Sequence, residues 1–149
     1  MEIDNDKLLN LDNQLCFALY VCSKEIIRMY KPLLDPLDLT YTGYIAMLAL
    51  WEKDNITVKE LGERLYLDSG TLTPLLKRLE SSGYIKRKRS SSDERNVFIH
   101  LTPKGISLKE KAYEVPKSMI CSLNSLNDPT TLLQQLHSLM EMFSEKNPE

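Results

Sequence analysis

Four leucines constrain this chain more than any other feature in it. Leu72, Leu75, Leu76 and Leu79 recur at helical spacing, and the helix they mark stops at Ser81-Ser82-Gly83. A glycine there suits the left-handed residue that closes a helix. Two short strand-like runs follow at once, residues 84–89 and 96–101, the second carrying Val97, Phe98 and Ile99. The polar segment Ser90-Ser91-Ser92-Asp93-Glu94-Arg95 between them reads as the turn of a hairpin. The expected fold class is therefore mainly α with a small β-hairpin.

The flanks fill in the rest. Leu8, Leu11, Leu15, Leu19, Ile26 and Tyr30 trace one stripe of a helix over residues 8–30, with Pro32 and Pro36 expected to interrupt it. A second helix follows Thr40, with Tyr41, Tyr44, Ile45, Leu48 and Trp51 on one side, and Asp54-Asn55 closes it. Thr57-Val58-Lys59-Glu60 fits a capping box in front of a short third helix buried through Leu61 and Leu65. Pro74 reports where the fourth helix begins. With Thr71 as N-cap it costs no helical bond, whereas a start nearer Ser69 loses one bond and adds a slight kink. Thr102-Pro103 restarts a helix that Pro116 should kink or end, and a last amphipathic helix spans residues 129–145.

Charge first argues against a polyanionic partner, then for one. The whole chain is net −2, yet residues 71–95 hold seven basic and three acidic side chains, a local +4 on an otherwise acidic body. Such a patch is an electrostatic footprint for phosphate, or else a solvated face. At 149 residues with 42% apolar content, the chain suits one soluble domain. No apolar run approaches the ~20 residues of a membrane span. The polar start Met1-Glu2-Ile3-Asp4-Asn5-Asp6-Lys7 does not read as a secretory signal. Three cysteines, an odd number, suit free thiols in a reducing cytoplasm.

The order helix, helix, short helix, leucine-lined helix, basic hairpin is that of a winged helix-turn-helix, with Tyr66-Leu67-Asp68-Ser69-Gly70 as the turn. Helix 69–82 would present Ser69, Thr71, Thr73, Lys77 and Arg78 to base edges and phosphates. Lys86, Arg87, Lys88 and Arg89 of the wing, residues 84–101, would lie on the adjacent backbone, with Arg95 at the tip entering a minor groove. The two terminal amphipathic regions exceed what so small a lobe needs. The economical use for them is pairing with a second copy, giving a homodimer on a two-fold, pseudo-palindromic double-stranded DNA site. Residues 1–149 then form one subunit, in which 8–35 and 103–146 are dimerisation helices and 36–102 the DNA-binding lobe.

The run Tyr66-Leu67-Asp68-Ser69-Gly70-Thr71-Leu72-Thr73-Pro74-Leu75-Leu76-Lys77-Arg78-Leu79-Glu80, with Asp93-Glu94-Arg95, resembles the MarR family of bacterial transcription regulators. Asn13-Gln14-Leu15-Cys16-Phe17-Ala18-Leu19-Tyr20 is similar to its organic-hydroperoxide-sensing, OhrR-like branch. The resemblance implies a repressor that releases DNA when Cys16 is oxidised by an organic hydroperoxide, with Tyr20 and Tyr30 hydrogen-bonding the cysteine across the dimer. It adds Pro74 and Asp93 to the DNA-facing set. Members of the branch resolve the oxidised cysteine either with a second cysteine of the partner subunit, here Cys121, or with a small-molecule thiol.

Independently of the resemblance, Asp12 as N-cap would put Cys16 four residues into a helix, where amide dipoles favour a thiolate, with Tyr20 one turn on. A small buried apolar role is the plainer alternative. Cys22 is ~9 Å along the same helix, beyond the ~7 Å reach of a disulfide, and is expected to pack. A thiol peroxidase is the competing class, but no acid–base cluster or CxxC pair accompanies Cys16, so no catalytic residue is assigned. His100 and His137 lie apart from any cysteine cluster, and no metal or cofactor is expected. Two further readings keep the fold: a regulator answering a small aromatic ligand among Tyr20, Tyr30, Tyr41, Tyr44 and Trp51, and a broader regulator of virulence or biofilm genes.

Overall fold

The computed structural model describes residues 5–145, the side chain of Glu145 excepted. The chain divides into two compact units, Met1–Pro116 and Lys117–Glu149. In the first, a short helix α1 (Asn5–Leu8) and a 3-10 turn (Leu11–Asn13) precede α2 (Leu15–Leu34). Asp12 is not the N-cap of α2. It lies in the 3-10 turn, where Asn10 accepts its amide at 2.9 Å, and Gln14 takes the cap position with no side-chain bond to the helix. The Gln14 amide instead donates to the Leu8 carbonyl at 2.6 Å.

Pro32 does not interrupt α2, which runs through it to Leu34. One missing N–H is outweighed by the burial of Leu34 and by Lys31 pairing with Asp35 at 2.9 Å across the last turn. The helix stops instead in a 3-10 turn (Asp35–Leu37) that holds Pro36, followed by Asp38 in the left-handed region at φ 54°.

Thr40 caps α3 (Tyr41–Glu52), accepting the Gly43 amide at 3.1 Å. This helix is apolar nearly all round. Its buried side is Tyr44, Ala46, Met47, Ala49 and Leu50, while Leu48 from the expected stripe is exposed. Strand β1 (Ile56–Thr57) leads into α4 (Val58–Leu65), and the capping box is present: Glu60 donates its amide to Thr57 Oγ1 at 3.1 Å, and the Thr57 amide donates to Glu60 Oε2 at 2.7 Å.

Helix α5 (Ser69–Ser81) is capped by Asp68, which accepts the Thr71 amide at 2.8 Å. Thr71 is therefore already helical, and of the two expected starts the earlier one holds. Pro74 sits inside the helix and forfeits one bond. Gly83, at φ 80°, closes α5: its amide reaches the Glu80 carbonyl at 3.0 Å and the Tyr84 amide reaches Leu79, also at 3.0 Å.

Strands β2 (Ile85–Arg89) and β3 (Val97–Leu101) form the hairpin. β1 adds to the other edge of β3 (Ile56 opposite Ile99), so the sheet has three antiparallel strands in the order β1-β3-β2 rather than two. Two residues are too short a strand to register in periodicity. Thr102 caps α6 (Pro103–Ala112) with proline first, as expected.

The break after α6 falls at Tyr113, ahead of Pro116, which rides in the first turn of α7 (Glu114–Ser122), where no N–H is required. The core of the first unit gathers Leu34, Met47, Leu50, Leu61, Leu76, Leu79, Ile85 and Ile99. In the second unit, α8 (Pro129–Glu145) occupies the residues expected of it, and Asp128 accepts the Thr131 amide at 3.0 Å. None of the described helices is long and apolar enough to cross a membrane.

Candidate nucleic-acid interface and thiol site

Gly62 is what allows α4 and α5 to meet closely. A Cβ there would stand 2.9 Å from both the Leu67 carbonyl and Leu72 Cδ1. With Leu72, Leu75, Leu76 and Leu79 buried, the opposite side of α5 is left to solvent, and it carries Ser69, Thr71, Thr73, Pro74, Lys77 and Arg78. Thr73 Oγ1 donates to the Ser69 carbonyl at 2.9 Å, which fixes that hydroxyl and leaves its oxygen free to accept.

The wing is more differentiated than its composition suggests. Alternation along β2 sends Lys86 and Lys88 outward and turns Arg87 back toward α5. There Glu80 takes the Arg87 backbone amide at 3.0 Å and its Nε at 3.3 Å. These bonds from Arg87 hold the Glu80 carboxyl below the ordinary carboxylate range. Arg87 is thus occupied in joining wing to helix.

Asp93 organises the wing turn, accepting the Arg95 amide at 3.0 Å and the Asn96 side-chain amide at 3.4 Å. Arg89 Nη1 reaches the Glu94 carbonyl at 3.4 Å. Lys86, Lys88 and Arg95 are exposed with no acidic partner in the described ion pairs. Sequence reasoning missed the Glu80–Arg87 clamp, although a glutamate in the last turn of a helix whose neighbouring strand is all cations was its signal.

Cys16 is the second residue of α2 rather than the fourth, and it is exposed. The small apolar packing role is therefore not taken up within this chain. Cys22 is exposed as well, so it does not pack within this chain, and Cys121 is exposed in the second unit. Tyr20 stands in solvent, with Lys24 Nζ 5.5 Å from its ring centre. Tyr30 instead joins Tyr41 and Tyr44, with ring centres 4.9 and 5.7 Å away. Burial, with Tyr41 beside it, raises the Tyr30 phenol above its ordinary value, which keeps its O–H a donor.

Around the thiol-bearing helix, apolar residues face outward: Leu8, Leu11 and Leu15 are exposed, and Leu9 is 86% exposed. Trp51 donates Nε1–H to the Gly105 carbonyl at 2.9 Å. With Tyr44, Leu48 and Tyr113 it lines a cavity of about 330 Å³.

Comparison with known proteins agrees with this geometry. The transcriptional regulator SarA/Rot family matches residues 28–112. The organic hydroperoxide resistance transcriptional regulator of Bacillus subtilis (strain 168) is 52% identical over 140 residues, covering 93% of this chain and 95% of that protein. Reduced AbfR bound to DNA superposes with a TM-score of 0.77 at 34% identity, over 93% of this chain and 97% of that one. The disulfide-formed state of AbfR, a Staphylococcus epidermidis protein, gives a TM-score of 0.67 at 35% identity, over 93% and 96%.

Proposed function

The chain belongs to the SarA/Rot family of MarR-like winged-helix transcription regulators, and we propose that it is a cytoplasmic, homodimeric repressor that releases its operator when an organic hydroperoxide oxidises Cys16. The observation that carries the reading is the combination of an exposed thiol at the open end of α2 with an exposed hydroxyl-and-cation face on α5 in one chain. Its support is the hydroperoxide-resistance role in the name of the Bacillus relative, and the DNA-bound and disulfide states of AbfR. A thiol that must react before it signals has to be reachable, and within the single chain Cys16 is exposed.

In this mechanism the Cys16 thiolate attacks one peroxide oxygen. The S–O bond forms as the O–O bond breaks, the alkoxide leaves and takes a proton as the alcohol, and the sulfur is oxidised by two electrons to a sulfenic acid. The thiol of Cys121 in the partner subunit then attacks that sulfur, forming S–S and expelling water. Tyr20 and Tyr30 donate hydrogen bonds to the sulfur across the dimer. Linking the N-terminal helix of one subunit to the C-terminal region of the other shifts the two α5 helices away from the ~34 Å spacing of successive major grooves.

On the DNA, α5 reads bases through Ser69, Thr71, Thr73 and Pro74. Lys77, Arg78, Lys86, Lys88 and Arg89 hold phosphates, and Arg95, aimed by Asp93, enters the minor groove. Arg87 serves this surface from behind, through Glu80. The dimerisation regions are residues 8–35 and 103–146, of which 146 lies outside the described residues, around the lobe 36–102. The exposed leucines before and in α2, together with Leu132, Leu133, Met140 and Phe143 of α8, supply apolar surface for such pairing.

The test is intact mass and mobility on a non-reducing gel after one equivalent of cumene hydroperoxide. Wild type should form a covalent dimer, Cys121→Ser should stop at an added oxygen, and Cys16→Ser should do neither. A Cys16→Ser chain that still dimerises covalently contradicts the assignment. The cavity beside Tyr44 and Trp51 favours a second reading, a regulator answering a small aromatic ligand. Induction that persists in Cys16→Ser would select it.

A further inference from the structure

Three consecutive residues between the recognition helix and the wing, Ser82, Gly83 and Tyr84, are held by long-range hydrogen bonds from two sides. Ser82 Oγ donates to Asp38 Oδ2 at 2.6 Å, and the buried Tyr84 hydroxyl donates to the Leu37 carbonyl at 2.6 Å. Arg78, one turn back on α5, places Nη2 3.9 Å from Asp38 Oδ1. These ties all run to the link that ends α2.

From the other side, the Thr102 amide donates to the Tyr84 carbonyl at 3.0 Å, and its hydroxyl donates to the Gly83 carbonyl. Lys104 donates to the Ser82 carbonyl at 2.7 Å and lies 5.0 Å from the Tyr84 ring centre. Gly105 brings α6 so near that a Cβ would stand 2.1 Å from the Tyr84 oxygen. The 82–84 corner is therefore gripped by the end of α2 and by the first turn of α6 at once.

Asp38 holds its place at a conformational cost. At φ 54° a glycine would be unstrained, and aspartate is one of the few other residues that tolerate the left-handed region. What aspartate adds over glycine is the carboxylate that Ser82 and Arg78 meet. Helix α2 is 20 residues of continuous helix, a stiff rod of ~30 Å with Cys16 at one end and this link at the other.

We propose that Asp38 and Tyr84 are positioning residues, the joint through which a displacement of α2 is delivered to the recognition helix and the wing together. The proposal rests on the redox reading above. Because Ser82 ends α5 and Tyr84 begins the wing, one pull at residues 37–38 moves both DNA-reading elements as a body, with the Glu80–Arg87 clamp keeping them in register. The α6 contacts are the fulcrum.

The experiment compares DNA affinity of the full chain, reduced and oxidised by one equivalent of cumene hydroperoxide, with oxidation of Cys16 followed by intact mass. The variants are Tyr84→Phe, Asp38→Gly, their combination, and Asp38→Asn, which keeps an acceptor oxygen and tolerates the left-handed region. The combined variant should bind DNA within about threefold of wild type when reduced and should oxidise at the wild-type rate. Its ratio of reduced to oxidised affinity should fall at least fivefold, and Asp38→Asn should recover most of that ratio. A combined variant that keeps the wild-type ratio overturns the joint and leaves the redox reading standing. If wild type itself ignores oxidation, the redox reading falls, and hydrogen exchange then judges the joint: Asp38→Gly must speed exchange in the last turn of α5 and in β2 together. Acceleration in neither overturns it.

Discussion

The DNA-binding lobe and the two ends of the chain solve opposite problems. In the lobe, side chains close on one another: Leu76 is fully buried, Tyr84 and Trp51 find backbone acceptors, and none of the buried side-chain polar atoms among the described residues is orphaned. At the ends, leucines, Phe17, Tyr20 and the apolar side of α8 face solvent. The difference teaches which residues fold the subunit and which await a partner. A buried leucine has already contributed its transfer free energy, while an exposed one still has it to contribute.

The contrast breaks most visibly at Leu76 and Leu133, the second of which is 53% exposed. Leu76→Ala should cost roughly 2–5 kcal/mol at every protein concentration, read as a lower midpoint in urea. Leu133→Ala should leave the midpoint of dilute protein within about 0.5 kcal/mol and weaken self-association instead, read by sedimentation equilibrium. Equal, concentration-independent losses at both sites would erase the distinction.

A smaller effect separates two adjacent cations of the wing. Lys88→Ala should weaken DNA binding and lower the slope of log affinity against log salt by about 1. Arg87→Ala should weaken binding with less change in slope, because its guanidinium is engaged by Glu80 at 3.3 Å. Anisotropy titrations at four salt concentrations read both.

The smallest concerns acid. The Glu80 carboxyl titrates below its ordinary value when folded, so its contribution is present above that ordinary value, 4.5, and is lost as pH falls through the lower folded value. Wild type should therefore lose stability as pH falls below 4.5 slightly more steeply than Glu80→Gln, by circular dichroism melting. The carboxylate is partly exposed, so solvent screening keeps the difference small.

Much of this was legible because local chemistry and fold agree. The Thr57–Glu60 box, Thr102-Pro103, Gly83 and the span of α8 are each decided within a few residues, and each stands where it was expected. What escaped was decided at a distance. Pro32 stays helical because Leu34 is anchored in a core that the local sequence does not display. β1 exists only because β3 is there to pair with. Asp12 lost the N-cap of α2 to Gln14, and of the two starts left open for α5 the one near Ser69 holds, a matter of a few residues that propensity does not separate. At the interface the cations were legible by composition, but the assignment of Arg87 to Glu80 required the strand's facing direction. Cys16 could be singled out by its neighbours; its exposure could not.

The measurement that bears most directly on the central claim is operator affinity by fluorescence anisotropy, on the chain's own upstream DNA at fixed salt. Reduced protein is compared with protein treated with one equivalent of organic hydroperoxide, with Cys16→Ser alongside. A sensor predicts that oxidised wild type releases the DNA while Cys16→Ser holds it in both conditions. If oxidised wild type binds as tightly as reduced, Cys16 is not the switch, and the α5 face serves a regulator that answers to another signal.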